Sequence, residues 1–450
     1  MKKLLAPTLL IGLFPVGACA QFTDPGFEQG GNGWVMHCPE WAWPTSSSAP
    51  YGGNFAMAIQ ATSPDFASCP SGDPGTGLWP PPPRFYQLLP QVTTADVVRV
   101  KFLVRLEEGI PVPIGSSVEV TAITVDGNGV LQTIPDPGFQ VGEPLANWQE
   151  MYYQTTVPVL APGQVFGIGF AAHTFGGGNG VVHFDNMALV VEGSGALLNA
   201  KAWLDGAYVP GANLMRDDLR TAGLIPASQP MSPPGAATTP VGGETIGTGV
   251  LGISGNNAIV DWAWIDLRFG QPVYPYETYA KRNVLIQRDG DIVDMDGTSP
   301  VLLPLKAGNC RVVVRHRNHL GVMSAEPLNL NSTPVLFDAS ATNSPLFSLP
   351  TPNTDAARKV VGTTRTLWPG DAWSLGAPYG VKYTGSGNDR DPVLYALGGN
   401  IPNSVVTSYH RSDINLDGKV KYTGVNNYLD IIPQTIGGST SNAVRYEQVP

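Results

Sequence analysis

Between residues 55 and 193 short apolar runs follow one another at close intervals: Phe55-Ala-Met-Ala-Ile-Gln60, Arg84-Phe-Tyr-Gln-Leu-Leu89, Val97-Val-Arg-Val-Lys-Phe-Leu-Val104, Val118-Glu-Val-Thr-Ala-Ile-Thr-Val125, Met151-Tyr-Tyr-Gln-Thr-Thr-Val157, Val165-Phe-Gly-Ile-Gly-Phe170 and Val181-Val-His-Phe184. Several alternate apolar with polar residues, and clusters of Gly, Pro, Asp or Asn separate them, which is the pattern of half-buried strands joined by turns. A chain punctuated this often cannot build long helices. With 53 Gly and 42 Pro in 450 residues, it is committed to many short strands. Residues 21–193 are therefore expected to form a jelly-roll sandwich, within a mainly β protein of several domains.

Charged residues make up only 14% of the chain and the net charge is −10. That balance argues against nucleic acid or an anionic membrane surface as partner. Lys2-Lys3, the apolar stretch Leu4 to Val16 and Ala18-Cys-Ala20 read as a signal peptide over residues 1–20, and no segment beyond it is apolar enough to span a membrane. Val16-Gly-Ala-Cys19 also fits a lipoprotein cleavage box, which would leave Cys19 acylated at the cell surface. In an exported protein Cys38 and Cys69 are expected to pair, a disulfide that stabilises by about 3 kcal/mol through loop closure. Cys310, just before Arg311-Val-Val-Val, reads as a small buried side chain at the start of a strand.

Gly193-Ser-Gly-Ala196 reads as a linker to a second β-sandwich over 197–335, with a short helix expected at 214–222, stopped by Gly223 and Pro226. Asp289-Gly290 predicts a hairpin turn, and the carboxylates from Asp289 to Asp296 read as turn residues rather than a cation site. Trp262 and Trp264 share one face of a strand and are expected in the core. Arg315-His-Arg-Asn-His319 is expected to continue a strand as a polar ladder, with Arg315, Arg317 and His319 on one face and His316 and Asn318 on the other. That spacing sets the histidines apart and speaks against a metal site.

The tail, residues 336–450, carries the most specific motif. In Asp413-Ile-Asn-Leu-Asp-Gly-Lys-Val-Lys-Tyr-Thr-Gly424, the side chains of Asp413, Asn415 and Asp417 and the carbonyl of Lys419 offer oxygens, and Gly418 supplies a sharp turn. A hard cation such as Ca²⁺ takes such a set. Val381-Lys-Tyr-Thr-Gly385 recurs as Val420-Lys-Tyr-Thr-Gly424, and Gly398-Gly399 and Gly437-Gly438 keep the same spacing. A fixed period implies a duplicated structural unit.

Three resemblances attach to these motifs. Asp24-Pro-Gly-Phe-Glu28 and Phe184-Asp-Asn-Met-Ala-Leu189 resemble the opening and closing motifs of galactose-binding-like jelly rolls, the carbohydrate-binding modules attached to xylanases and related hydrolases. This implies a structural Ca²⁺ held by Glu28 and Asp185 where the terminal strands meet. Ile259-Val-Asp-Trp262, Leu285 to Asp294 and Arg315 to Ser324, followed by the repeats, resemble a C-terminal module of large secreted Gram-negative bacterial proteins. The repeats are also similar to dockerin type I units, each a calcium loop followed by a helix. Position twelve of the second loop is Gly424, so Asp430 is expected to close the site; the first repeat lacks the acidic ladder and is expected to bind no ion.

A sugar site needs aromatic platforms and a few polar groups. Trp34, Trp41, Trp43, Trp79, Tyr152 and Tyr153 are the candidates. No triad, zinc motif, P-loop or cofactor fingerprint is present. The expectation is a secreted, non-enzymatic protein that binds polysaccharide or cell-surface glycan, with calcium-stabilised modules. One alternative is an extracellular assembly protein docking a protein partner through the C-terminal repeats; another is an extracellular hydrolase.

Overall fold

The structure, a computed structural model, describes residues 22–450 apart from 23–25, 30, 37–41, 47–54, 61–84, 107–115, 135–138, 142–146, 175–180, 231–242, 271–276, 350–355, 374–379, 400, 426 and 439–441. The signal-peptide and Cys19 readings, the Cys38–Cys69 bridge, Trp41 and Trp79 lie outside the described residues. The protein is mainly β, with two compact units: Met1–Gly193 with Leu305–Asn309, and Ser194–Pro304 with Cys310–Pro450.

The first unit contains β1 (Val35–Met36), β2 (Ala42–Ser46), β3 (Phe55–Gln60), β4 (Phe85–Leu88), β5 (Val97–Leu106), β6 (Ser116–Val125), β7 (Leu131–Thr133), β8 (Phe139–Val141), β9 (Gln149–Thr156), β10 (Val165–Thr174) and β11 (Val181–Val191). They form two antiparallel sheets, β1-β4-β10-β6-β7 with β8 also on β6, and β2-β3-β11-β5-β9. Early strands thus pair with late ones, β4 with β10 and β3 with β11, as a jelly roll requires. Alternation sends Val98, Val100, Phe102 and Val104 of β5 inward, against Val118, Val120 and Ala122 of β6. Rings fill the centre: Phe85 stacks on Phe170 at 5.0 Å and Phe22 on Trp34 at 4.9 Å. Trp34 is only 6% exposed and contacts four rings of this cluster. It packs the core and is no sugar platform, because the turn after Gly31 sends it between the sheets.

The second unit opens with β12 (Ala196–Lys201), β13 (Tyr208–Val209), β14 (Leu214–Met215) and α1 (Asp218–Thr221), a shorter helix than the sequence suggested. Then come β15 (Ile259–Phe269), β16 (Glu277–Gln287), β17 (Asp291–Val293), β18 (Val301–Leu303), β19 (Ala307–Arg315), β20 (Val322–Met323), β21 (Leu328–Leu330) and β22 (Val335–Asp338). Strand order in its main sheet is β18-β12-β17-β16-β15-β19, with β22 parallel to β12 and β20 on β19. Trp262, Trp264 and Cys310 are buried in this sheet. Gly290 turns β16 into β17 at φ 87°, where a Cβ would stand 2.9 Å from the Ala202 carbonyl oxygen. Asp296 is a turn residue too, accepting from the Thr298 and Ser299 amides at 2.9 and 2.8 Å, whereas Asp291 opens β17 and pairs with Lys201 at 3.0 Å and Asp294 pairs with Arg282 at 2.7 Å.

The rest of this unit is β23 (Lys359–Val361), β24 (Thr364–Thr366), β25 (Gly380–Lys382), α2 (Arg390–Ala396), β26 (Val405–Thr407), β27 (Lys419–Lys421), α3 (Tyr428–Thr435) and β28 (Val444–Tyr446). The repeat is a strand, a helix and a second strand, β25-α2-β26 and β27-α3-β28. The copies interlock: β26 pairs with β27 and β28 returns to β25, with Lys421 opposite Val405 and Lys382 opposite Val444. Val381, Val393, Val420, Tyr428 and Ile432 make their shared core.

The tail and the middle region belong to one unit, and Gly206 marks how closely they pack. A Cβ there would lie 2.3 Å from the Ile414 carbonyl oxygen and 3.0 Å from the Asn415 Cα, both backbone atoms. Gly206→Ala is expected to cost about 2 kcal/mol, read as a lower urea midpoint at unchanged slope.

Candidate functional site

Two polar constellations stand out, one in each unit. In the first unit the site is the outer face of the sheet β2-β3-β11-β5-β9. Ala42, Met57, Ile59, Val182, Phe184, Val104 and Leu106 point into the core, so the residues between them point out. Register then sets Trp43 opposite Ala58, Ala58 opposite His183 and His183 opposite Arg105. The Arg105 guanidinium lies 4.9 Å from the centroid of the Trp148 ring, which extends the row past β5. At about 4.8 Å per strand, Trp43 and Arg105 stand roughly 14 Å apart, with the buried Ala58 and His183 between them. Beyond the apolar Leu103, outward residues further along β5 and β9 add polar groups. Lys101 donates to Glu150 at 3.0 Å, and Tyr152, 37% exposed, donates to Gln154 at 2.6 Å.

His183 is 6% exposed, and neither of its ring nitrogens has a hydrogen-bond partner among the described residues. Burial first, and then the charge of Arg105, hold its pKa down at about 4. The neutral ring therefore offers one donor and one acceptor, and leaving both unmet in a folded protein is costly. Trp43, Trp148 and Arg105 are half-buried around it. Tyr153, the other aromatic candidate of β9, faces the core. Of the sequence candidates this face gathers Trp43 and Tyr152; it also holds Arg105, Trp148 and His183, which the sequence reading did not place there. The available signal was alternation, since His183 stands between two core residues.

The opening and closing motifs meet in the same unit. A Cβ on Gly26 would lie 3.7 Å from Asp185 Oδ1 and 3.9 Å from Glu28 Cγ, so both side chains pass beside that glycine. Glu28 accepts from the Phe55 amide at 2.9 Å and Asp185 from the Asn186 amide at 2.6 Å. Phe27 and Asn186 hold positive φ, 56° and 49°, and the β5–β11 register shifts between Asp185 and Ala188. Carboxylates suit Ca²⁺, although no group of three or more His, Cys, Asp or Glu among the described residues is placed to hold a metal.

In the second unit the strand β19 stops at Arg315, and the next four residues bend rather than continue the expected ladder. One carboxylate explains the bend. Asp261 Oδ2 receives Arg317 Nε at 2.8 Å and lies 3.1 Å from His316 Nε2, while its Oδ1 accepts from the Tyr409 hydroxyl at 2.7 Å and the Trp262 amide at 2.8 Å. Successive residues of a strand face opposite ways and could not share that carboxylate. Burial alone would raise the Asp261 pKa, but the Arg317 charge and the hydrogen bonds of His316 and Tyr409 bring it to about 2. Burial also lowers the pKa of His316, and lowers that of His319 strongly, so both rings are neutral. Asn318 Nδ2 donates to the Arg411 and Asp413 carbonyls at 3.0 and 2.6 Å. Asp261, His316, Arg317, Asn318 and His319 are buried, and Tyr409 is half-buried. They fasten the tail and offer no open site.

The tail loop is ordered by its own groups. Asp413 accepts from the Asp417 and Gly418 amides at 3.1 and 2.9 Å, and Asp417 pairs with Lys421 at 3.1 Å. Asp430 does not close the loop: it is exposed, and its amide and carboxylate are bonded to the Asn427 side chain at 3.2 and 2.8 Å. Asn427 is the N-cap of α3, and capping turns Asp430 away from the oxygens of Asp413, Asn415 and Lys419.

No protein-family model matches the sequence, and no curated protein matches it. Among solved structures the chain is similar to a family 16 carbohydrate-binding module (13% identity, covering 38% of this chain and 98% of that one, TM-score 0.25). It is also similar to the CBM22-1 xylan-binding domain of Xyn10C from Paenibacillus barcinonensis (17% identity, 37% and 90%, TM-score 0.25). A third is TmCBM61, solved in complex with β-1,4-galactotriose (14% identity, 38% and 98%, TM-score 0.23). At these scores the likenesses add nothing to what the strand order itself states. No helix among the described residues is long and apolar enough to cross a membrane.

Proposed function

We propose that this is an exported, non-catalytic glycan-binding protein whose ligand lies across the outer face of β2-β3-β11-β5-β9. The observation that carries the reading is the row of half-buried Trp43, Arg105 and Trp148 across that face, with Ala58 and His183 buried between them. Sugar rings present C–H faces that stack on indole, and hydroxyls that both donate and accept. The roughly 14 Å between Trp43 and Arg105 suits an oligosaccharide segment rather than a single ring. Export is supported by the basic, apolar and small-residue order of residues 1–20.

The test is affinity electrophoresis of the mature protein through a panel of soluble polysaccharides. Retardation by at least one glycan, lost in Trp43→Ala, is the expected result. Migration unchanged by every glycan would overturn the reading in favour of an assembly protein.

The reading includes a structural Ca²⁺ at Glu28 and Asp185, fastening the two ends of the jelly roll. The Glu28 and Asp185 side chains beside Gly26 and the positive φ angles of Phe27 and Asn186 support it. EDTA is expected to lower the melting temperature of the wild type, and Asp185→Asn to remove that dependence. Melts with and without chelator check both.

A further inference from the structure

We infer that the loop Asp413–Gly424 holds no cation, and that the hydroxyl of Tyr428 takes the place a calcium ion would have. The dockerin-like pattern asks for oxygens at its first, third, fifth and seventh positions turned toward one point, and a bidentate carboxylate at the twelfth. Asp413, Asn415 and the Lys419 carbonyl do turn toward one point. The Tyr428 hydroxyl stands there, 3.0 Å from Asp413 Oδ1, 3.3 Å from Asn415 Oδ1 and hydrogen-bonded to the Lys419 carbonyl. A cation and this hydroxyl cannot occupy the same point.

The other ligand positions are committed as well. Both oxygens of Asp413 accept backbone amides, those of Asp417 and Gly418. The fifth-position carboxylate, Asp417, accepts the Lys419 amide at 2.9 Å and pairs with Lys421 at 3.1 Å.

The repeat gives an independent argument about the twelfth position. In the first copy Asn388 donates to the Gly385 carbonyl and to Asp391, both at 2.8 Å, and accepts the Asp391 amide at 2.9 Å. In the second copy Asn427 makes the same three bonds to Gly424 and Asp430. The first copy has no acidic loop ahead of its helix. The box therefore serves the start of the helix in both copies, and Asp430 is not a displaced ion ligand.

The loop is also walled in by its own unit. Arg216 donates to the Asn415 carbonyl at 2.6 Å, and a Cβ on Gly418 would stand 2.8 Å from Leu224 Cδ1. Tyr428 and Asp413 are buried. An ion-binding loop has been turned into a packed, tyrosine-plugged corner of the fold.

Two variants of the full mature chain test this, each with its fold checked by circular dichroism. Bound Ca²⁺ is counted by equilibrium dialysis and atomic emission for wild type and Asp417→Asn. The same number of ions per chain is expected, and loss of one ion in the variant would overturn the inference. Tyr428→Phe removes the plug's hydroxyl and the hydrogen bond it donates, and is expected to lower the melting temperature by about 4 °C, equally in EDTA and in millimolar Ca²⁺. A fall seen only in Ca²⁺, or no fall at all, would overturn it. The Glu28 and Asp185 pair is unchanged in both variants, so it cancels in each comparison with the wild type under the same conditions, whether or not it holds an ion.

Discussion

Asp261→Ala is expected to destabilise the second unit by about 3–5 kcal/mol, the range found when one partner of a buried ion pair is removed. The carboxylate is fully buried and serves four groups, two of them on the bend after β19 and one, Tyr409, at the entrance to the tail loop. Its loss leaves the Arg317 guanidinium, 1% exposed, without its counter-charge. Urea denaturation followed through the second unit should show the fall, and a variant within 1 kcal/mol or so of wild type would mean the bend is held by packing alone. The same group sets a pH response. Its pKa falls from 3.8 to about 2 on folding, so its contribution is fully present above the unfolded value and is lost as the pH drops through about 2. Between pH 4 and 2 the wild type should lose stability more steeply than Asp261→Ala.

This network shows what a linear reading can and cannot reach. Strand alternation and turn chemistry are local, so the strands of the jelly roll, the Asp289-Gly290 turn and the period of the tail repeats were all legible. The fate of Arg315-His-Arg-Asn-His319 was not. A ladder was the natural expectation for polar residues after Arg311-Val-Val-Val, and it failed because a distant carboxylate on β15 gathers two consecutive side chains. Trp34 failed for a related reason. A tryptophan in a Gly-rich loop reads as a surface platform until it is known that the turn at Gly31 feeds it between the sheets. The tail loop is the sharpest case. Its spacing advertises calcium, yet the group that fills it, Tyr428, is the first residue of the following helix, and nothing in the loop announces it. Asp389 stands at the equivalent place in the first copy and caps the amides of Ala372, Trp373 and Lys382 instead. The duplicated backbone was legible, but the two interiors have diverged.

The proposed glycan face gives the test for the first unit. Truncating Trp43 to alanine is expected to weaken glycan binding by about 10- to 100-fold, the usual cost of an aromatic hot spot. Trp148→Ala should cost a similar factor, because it removes both a ring and the surface on which Arg105 rests. Neither change should alter the melting temperature by more than a degree or two, since both indoles lie outside the central aromatic cluster. Trp34→Phe supplies the contrast: it perturbs that cluster, so it should lower stability and leave the affinity of the folded fraction intact. His183→Ala separates polar recognition from stacking. With both imidazole nitrogens gone, a loss of affinity without loss of stability would identify them as partners of sugar hydroxyls. Isothermal titration against whichever polysaccharide retards the wild type gives all four values. If Trp43 and Trp148 prove silent while binding persists, the ligand lies elsewhere on the first unit and the row across β2, β3, β11 and β5 is structural.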